Sequence, residues 1–112
     1  MLAGHAGDVL ELGAGTGALT RQLVGRVAHV RAVEPDPRMR AVLADRVPRA
    51  EVVAGCAEEI PADAATYDTV IAASSWHWVD EQRALPEVAR VLRPAGLFSL
   101  AWSGPDRSVP GS

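Results

Sequence analysis

The chain contains no lysine and no asparagine, one cysteine, one tyrosine and one phenylalanine in 112 residues. A lone Cys56 cannot close an internal disulfide, and none of the three histidines stands at ligand spacing to it, so no zinc or iron site is expected. Without lysine, all 11 basic residues are arginine. Codon bias in a GC-rich genome accounts for that, and the arginines are not taken as a site. Against 14 acidic residues they leave a formal charge of −3, which argues against phosphate-driven binding to DNA or RNA. Apolar residues make up 48% of the chain, yet none of its apolar runs is long enough to span a bilayer, and there is no leader with a basic start. The expectation is a soluble, cytoplasmic protein with no membrane partner. At this length it forms one domain that buries about two thirds of the surface its unfolded chain exposes.

What is present begins with Asp8-Val9-Leu10-Glu11-Leu12-Gly13-Ala14-Gly15-Thr16-Gly17, an apolar strand running into a glycine-dense turn that opens a helix. Glycines at alternate positions reach positive φ cheaply and lack the Cβ that would collide with a ligand, so main-chain N–H groups can point into the crevice beyond the strand. The start of the next helix adds its own unpaired N–H groups. Gly13-Ala14-Gly15-Thr16-Gly17-Ala18 satisfies both the dinucleotide fingerprint and a tighter G-x-G-x-G form. Both expect an acidic residue at the end of the second strand to take ribose hydroxyls, and Glu34 stands there. The turn therefore indicates a nucleotide cofactor without naming it.

Strand and helix alternate along the rest of the chain. Strands are expected at about Val9–Leu12, His29–Val33, Glu51–Val53, Thr69–Ala73 and Leu97–Ala101. A first helix, Thr16 to Arg26, places Leu19, Leu23 and Val27 on one face. Asp36 and Pro37 supply an N-cap and a proline at the first position of a second helix, whose buried stripe is Met39, Val42, Leu43 and Val47 and which ends before Pro48. A third helix runs from Asp80 to Leu92 with Leu85, Val88, Ala89 and Leu92 inward, and Pro86 either delays its start or kinks its first turn. Arg93-Pro94-Ala95-Gly96 turns into the last strand. Right-handed crossovers give a doubly wound parallel α/β sheet, Rossmann-like, in the order 3-2-1-4-5, with the ligand crevice between strands one and four. Residues 1–102 form the core and 103–112 a flexible tail.

Six blocks in order extend the motif: Glu11 to Gly17; Val33-Glu34-Pro35-Asp36; Gly55 to Pro61; Tyr67-Asp68-Thr69-Val70-Ile71; Trp76-His77-Trp78; and Ala89-Arg90-Val91-Leu92-Arg93-Pro94-Ala95-Gly96. Together they resemble the class I S-adenosylmethionine-dependent methyltransferases, nearest to the small-molecule group with a His-Trp pair after the fourth strand. The resemblance implies S-adenosylmethionine as cofactor and a small-molecule methyl acceptor. Gly13, Ala14, Gly15 and Gly17 would let the backbone approach the methionine and ribose portions, with Glu11 facing the amino group. Glu34 would accept from the ribose hydroxyls, Pro35, Asp36, Ala57 and Glu58 would border the adenine, and Ala72, Ala73 and Ser74 would offer carbonyls to the methionine end. His77 would act as general base on the acceptor, with a structural hydrogen bond as the alternative role. Trp76 and Trp78 would line the pocket or pack in the core.

The chain departs from that pattern at Cys56, where many relatives carry aspartate, so an adenine contact is in doubt. Such relatives also have a helix before strand one and two strands after strand five, so the chain resembles the cofactor-binding core alone. Strand five would then be an exposed apolar edge, covered by a partner or by a second copy in a homodimer. A binding remnant without turnover and a nicotinamide-dependent oxidoreductase are the competing readings.

Overall fold

Five parallel strands and three helices alternate in a computed structural model, which describes residues 7–72, 76 and 79–100. In chain order they are β1 (Asp8–Leu12), α1 (Ala18–Leu23), β2 (His29–Val33), α2 (Pro37–Arg46), β3 (Glu51–Val53), β4 (Tyr67–Ala72), α3 (Glu81–Val91) and β5 (Leu92–Leu100). The sheet order is β3-β2-β1-β4-β5, as the alternation requires. None of the helices among the described residues is long and apolar enough to cross a membrane.

The central strands β1 and β4 are buried almost throughout because helices cover both faces of a parallel sheet. Leu10, Leu12, Val70 and Ala72 enter the largest core cluster, under α3, with Ala84, Val88 and Val91. Val9 and Ile71 point to the other face, where Leu23 covers them with Leu19 and Val27 alongside. The four-residue spacing of α1 thus packs as its periodicity indicates. The regular helix is only Ala18–Leu23, because Val24, Gly25 and Val27 disfavour continuation and the chain leaves through a turn, Arg26 N–H donating to the Leu23 carbonyl at 2.8 Å.

Two buried stripes differ from expectation. On α2, Leu43 and Val47 are inside, whereas Met39 and Val42 face solvent. On α3 the inward set is Ala84, Val88 and Val91, so Leu85 and Ala89 are outside and Leu92 belongs to the next strand. The start of α3 is where the sequence places it. Asp80 caps it, its Oδ1 accepting from Gln82 N–H at 3.1 Å, and the helix runs through Pro86 on its exposed side rather than restarting there. That phase turns position 84 toward the sheet in place of 85.

The last strand begins earlier than expected. Leu92 pairs with Tyr67 and Leu97 with Thr69, and the extra residues between them form a bulge that absorbs the expected turn. Ala95 takes φ 68° there, and Gly96 sits where an added Cβ would lie 2.9 Å from the Arg93 carbonyl oxygen. Arg93 anchors the bulge, donating to Asp68 at 2.7 Å and to Asp8 at 3.2 Å. Leu97 and Leu100 are exposed along this edge strand. Ala101 and the expected tail lie outside the described residues.

Candidate functional site

At the carboxyl ends of β1, β2 and β4 the chain leaves a cavity of about 300 Å³, at the lower end of small-molecule sites. Leu12, Gly13 and Ala72 form its floor, and Pro35 lies to one side. The loop after β3 contributes Cys56, Ala57 and Glu58, and the segment before α3 contributes Trp76 and Val79. Its lining is mainly apolar, which suits a flat ring more than an extended polyanion.

The glycine turn borders this space. Gly13, Gly15 and Gly17 all take positive φ, at 68°, 61° and 101°. They do different work. A Cβ built on Gly15 meets nothing within 4 Å, whereas one on Gly17 would lie 2.7 Å from Leu43 Cδ1 and 3.0 Å from Val47 Cγ2. Gly17 is there to let α2 close on the turn, and Gly15 is the position that faces open space.

Four of the turn's N–H groups are already engaged. Gly13 and Ala14 donate to the Val33 carbonyl at 2.9 and 3.3 Å, Gly17 donates to the Ala14 carbonyl at 3.2 Å, and Gly15 donates to Glu34 Oε1 at 2.8 Å. Donors aimed into the crevice, as the sequence suggests, are therefore not what these four groups supply. They fix the loop and leave room beside it.

Glu34 is held at both ends of its carboxylate, Oε2 accepting from Asp36 N–H at 3.0 Å. A carboxylate has about four acceptor sites, and two are used here, so each oxygen retains capacity for one further donor. Arg40 steadies the same corner by donating to the Glu34 and Pro35 carbonyls, both at 2.9 Å. Asp36 caps α2, accepting from Arg38 N–H at 2.8 Å.

Glu11 lies elsewhere. It is fully buried and, by strand alternation, shares the sheet face of Val9 under α1, with Oε1 accepting from the Thr20 hydroxyl and Oε2 without a partner among the described residues. Burial pushes its carboxyl up to about 7, against the lowering effect of the Thr20 bond and with a smaller contribution from Glu34. Ala57 and Glu58 do border the cavity, and Glu58 is held below the ordinary carboxylate range chiefly by the Asp80 N–H, which donates to Oε2 at 2.9 Å. Trp76 fills both expected roles. Its ring packs on Phe98 at 5.2 Å between centroids and also walls the cavity, while Nε1 donates to Glu81 Oε2 at 2.6 Å. Ala73, Ser74, His77 and Trp78 lie outside the described residues. Of the lining residues, Ala72 was expected at the methionine end, although it closes β4 rather than lying in the loop after it, whereas Leu12 and Val79 were not marked, because nothing distinguishes them from ordinary core positions.

A Rossmann-like sheet with its open cleft beside a glycine turn and a carboxylate at the end of the second strand defines a nucleotide-cofactor domain. Residues 10–100 match the family model described as a methyltransferase domain, and the chain belongs to that family. It is 51% identical over 109 residues to an uncharacterized methyltransferase of Mycobacterium tuberculosis, covering 97% of this chain and 45% of that protein. A methyltransferase-like protein of Schizosaccharomyces pombe, also uncharacterized, is 37% identical over 103 residues, covering 91% of this chain and 40% of its own length. Among solved structures, the YcgJ protein of Bacillus subtilis superposes with a TM-score of 0.79 at 27% identity, over 84% of this chain and 43% of that one. The chain thus spans less than half the length of these relatives.

Proposed function

We propose that the cleft binds S-adenosylmethionine and that the chain is the cofactor-holding part of a methyltransferase acting on a small-molecule acceptor. The observation that carries this is the carboxylate of Glu34 bonded to the N–H of Gly15. A dinucleotide needs glycine-turn N–H groups for its pyrophosphate, and here the Gly15 donor is occupied by a negative group. That arrangement suits a nucleoside bearing positive charge, while the two acceptor sites left on Glu34 match the two hydroxyls of a ribose.

The residues fit such a cofactor. The open side of Gly15 leaves room for the ribose and methionine portion, and Pro35, Ala57 and Glu58 border a slot of suitable character for adenine. Leu12, Ala72 and Trp76 exclude water from its floor and wall. When bound, the cofactor supplies a sulfonium methyl that an acceptor oxygen, nitrogen or carbon can displace in line. The chain's task is positioning, which in well-oriented reactions is worth about 7–11 kcal/mol. Ala73 and Ser74, which follow β4 in sequence, are proposed to contact the methionine end, and His77 to take a proton from the acceptor.

Two measurements test the proposal. Glu34→Ala lowers S-adenosylmethionine affinity by about 10- to 100-fold, the equivalent of about 1.5–3 kcal/mol of charge-assisted bonding. Transfer of labelled methyl to a panel of small phenols, amines and carboxylic acids then separates an enzyme from a binding domain. Undiminished affinity in Glu34→Ala contradicts the ribose assignment, and binding without transfer to any acceptor leaves the chain a cofactor-binding domain.

A further inference from the structure

One wall of the cavity has no regular structure of its own. The loop carrying Cys56, Ala57 and Glu58 contains a turn and an isolated bridge between Cys56 and Glu59. From one side Arg31 of β2 donates to the Pro61 carbonyl at 2.7 Å, and from the other α3 holds it. Glu87 Oε1 accepts from Ile60 N–H at 2.8 Å, and Arg90 donates through NH2 to the Ile60 carbonyl at 3.0 Å and through NH1 to the Ala62 carbonyl at 2.9 Å. The two side chains also lock each other, Arg90 Nε to Glu87 Oε2 at 2.8 Å and NH2 to Oε1 at 2.9 Å. The pair therefore satisfies both the donor and the acceptor of Ile60, the service a neighbouring strand performs in a sheet. At the other end of the loop, the cap of α3 holds Glu58 through the Asp80 N–H.

We propose that Glu87 and Arg90 are positioning residues for the adenine side of the cofactor site, holding the 56–62 loop at the spacing the ligand requires without touching the cavity. The inference rests on the cofactor reading above. Its physical basis is that a loop with few backbone bonds of its own depends on such side-chain bonds for its shape, and that a planar guanidinium presenting several fixed donors can bind two carbonyls and a carboxylate together. Lysine cannot. Neither residue lines the cavity, and Ile60, the residue they grip, is buried in the core two positions from Glu58.

The test compares the 112-residue chain with Arg90→Ala, Glu87→Gln, Arg90→Lys and, as a control, Arg93→Ala, which removes a similarly exposed arginine pair that bonds Asp68 and Asp8 rather than the loop. S-adenosylhomocysteine affinity is measured by calorimetry, and amide hydrogen exchange of the 54–62 segment by mass spectrometry. Expected are roughly tenfold weaker binding and faster exchange confined to that segment in Arg90→Ala, with little recovery in Arg90→Lys and neither effect in Arg93→Ala, a tenfold change corresponding to 1.4 kcal/mol. Unchanged exchange and affinity in folded Arg90→Ala overturn the clamp, as does an equal loss in Arg93→Ala at matched thermal stability. A wild-type chain that binds no S-adenosylhomocysteine overturns the cofactor reading and this inference with it, a result distinguishable from failure of the clamp alone.

Discussion

Alanine placed at Gly15 and at Gly17 should give opposite phenotypes although both glycines have positive φ in one turn. An alanine forced into the left-handed region costs about 1–2 kcal/mol, offset by about 0.4–1 kcal/mol from the reduced freedom of the unfolded chain. For Gly15, at φ 61° with open space around a new Cβ, that strain is the whole cost, about 1 kcal/mol. For Gly17 the new methyl meets Leu43 at 2.7 Å and Val47 at 3.0 Å, both buried, so about 1–3 kcal/mol of overpacking adds to the strain. The total is about 2–4 kcal/mol, a large share of a small domain's stability. Urea unfolding followed by circular dichroism measures both, and calorimetric titration measures cofactor affinity. Gly15→Ala is expected to stay folded and to bind S-adenosylmethionine poorly, whereas Gly17→Ala is expected to shift the urea midpoint far down. Equal destabilisation by the two substitutions, or full affinity in Gly15→Ala, refutes the division of labour.

Glu11 should make the chain less stable as pH rises. Its folded pKa of about 7 lies above the ordinary glutamate value of 4.5, so the native state holds a proton that the unfolded state has released between those values, and stability falls across that window by about 3 kcal/mol at most. The lowered carboxyls of Glu58, Asp68 and Glu87 act in the opposite sense and below it, their contributions being lost as pH drops under about 4.5. Glu11→Gln, which keeps an acceptor for Thr20, should flatten the urea-derived stability between pH 5 and 8, and an unaltered slope would contradict the assignment. Pro86→Ala should stabilise by about 1–3 kcal/mol, since it restores the donor to the Gln82 carbonyl on an exposed face, and a lower melting temperature in that variant would contradict it.

The strand order was legible because alternating strands and helices with right-handed crossovers admit few arrangements, and the cap at Asp36 followed from its Asp-Pro pair. Helix phase was harder. Leu85 and Val42 look as suitable for burial as Ala84 and Leu43, and choosing between them depends on where each helix begins relative to the sheet, which is a tertiary matter. The bulge in β5 was invisible because Arg93-Pro94-Ala95-Gly96 has the composition of a turn, and its extended course depends on Asp68 and Asp8 from distant strands. At the site, the glycines and Glu34 could be identified by spacing alone. The bond between Gly15 and Glu34 could not, nor could the approach of Leu43 and Val47 to Gly17 that sets the two glycines apart. Arg90 belongs to the sixth block and Glu87 stands just before it, but their joint task could not be read there, since each acts on backbone atoms roughly thirty residues away.

The central claim is that this cleft accepts an adenosyl sulfonium and rejects a pyridine dinucleotide. Isothermal titration of the chain with S-adenosylmethionine and, separately, with NAD tests it most directly. One saturable site for S-adenosylmethionine and no heat of binding for NAD is the predicted result. Saturable binding of NAD, or no binding of S-adenosylmethionine by the folded chain, would contradict it.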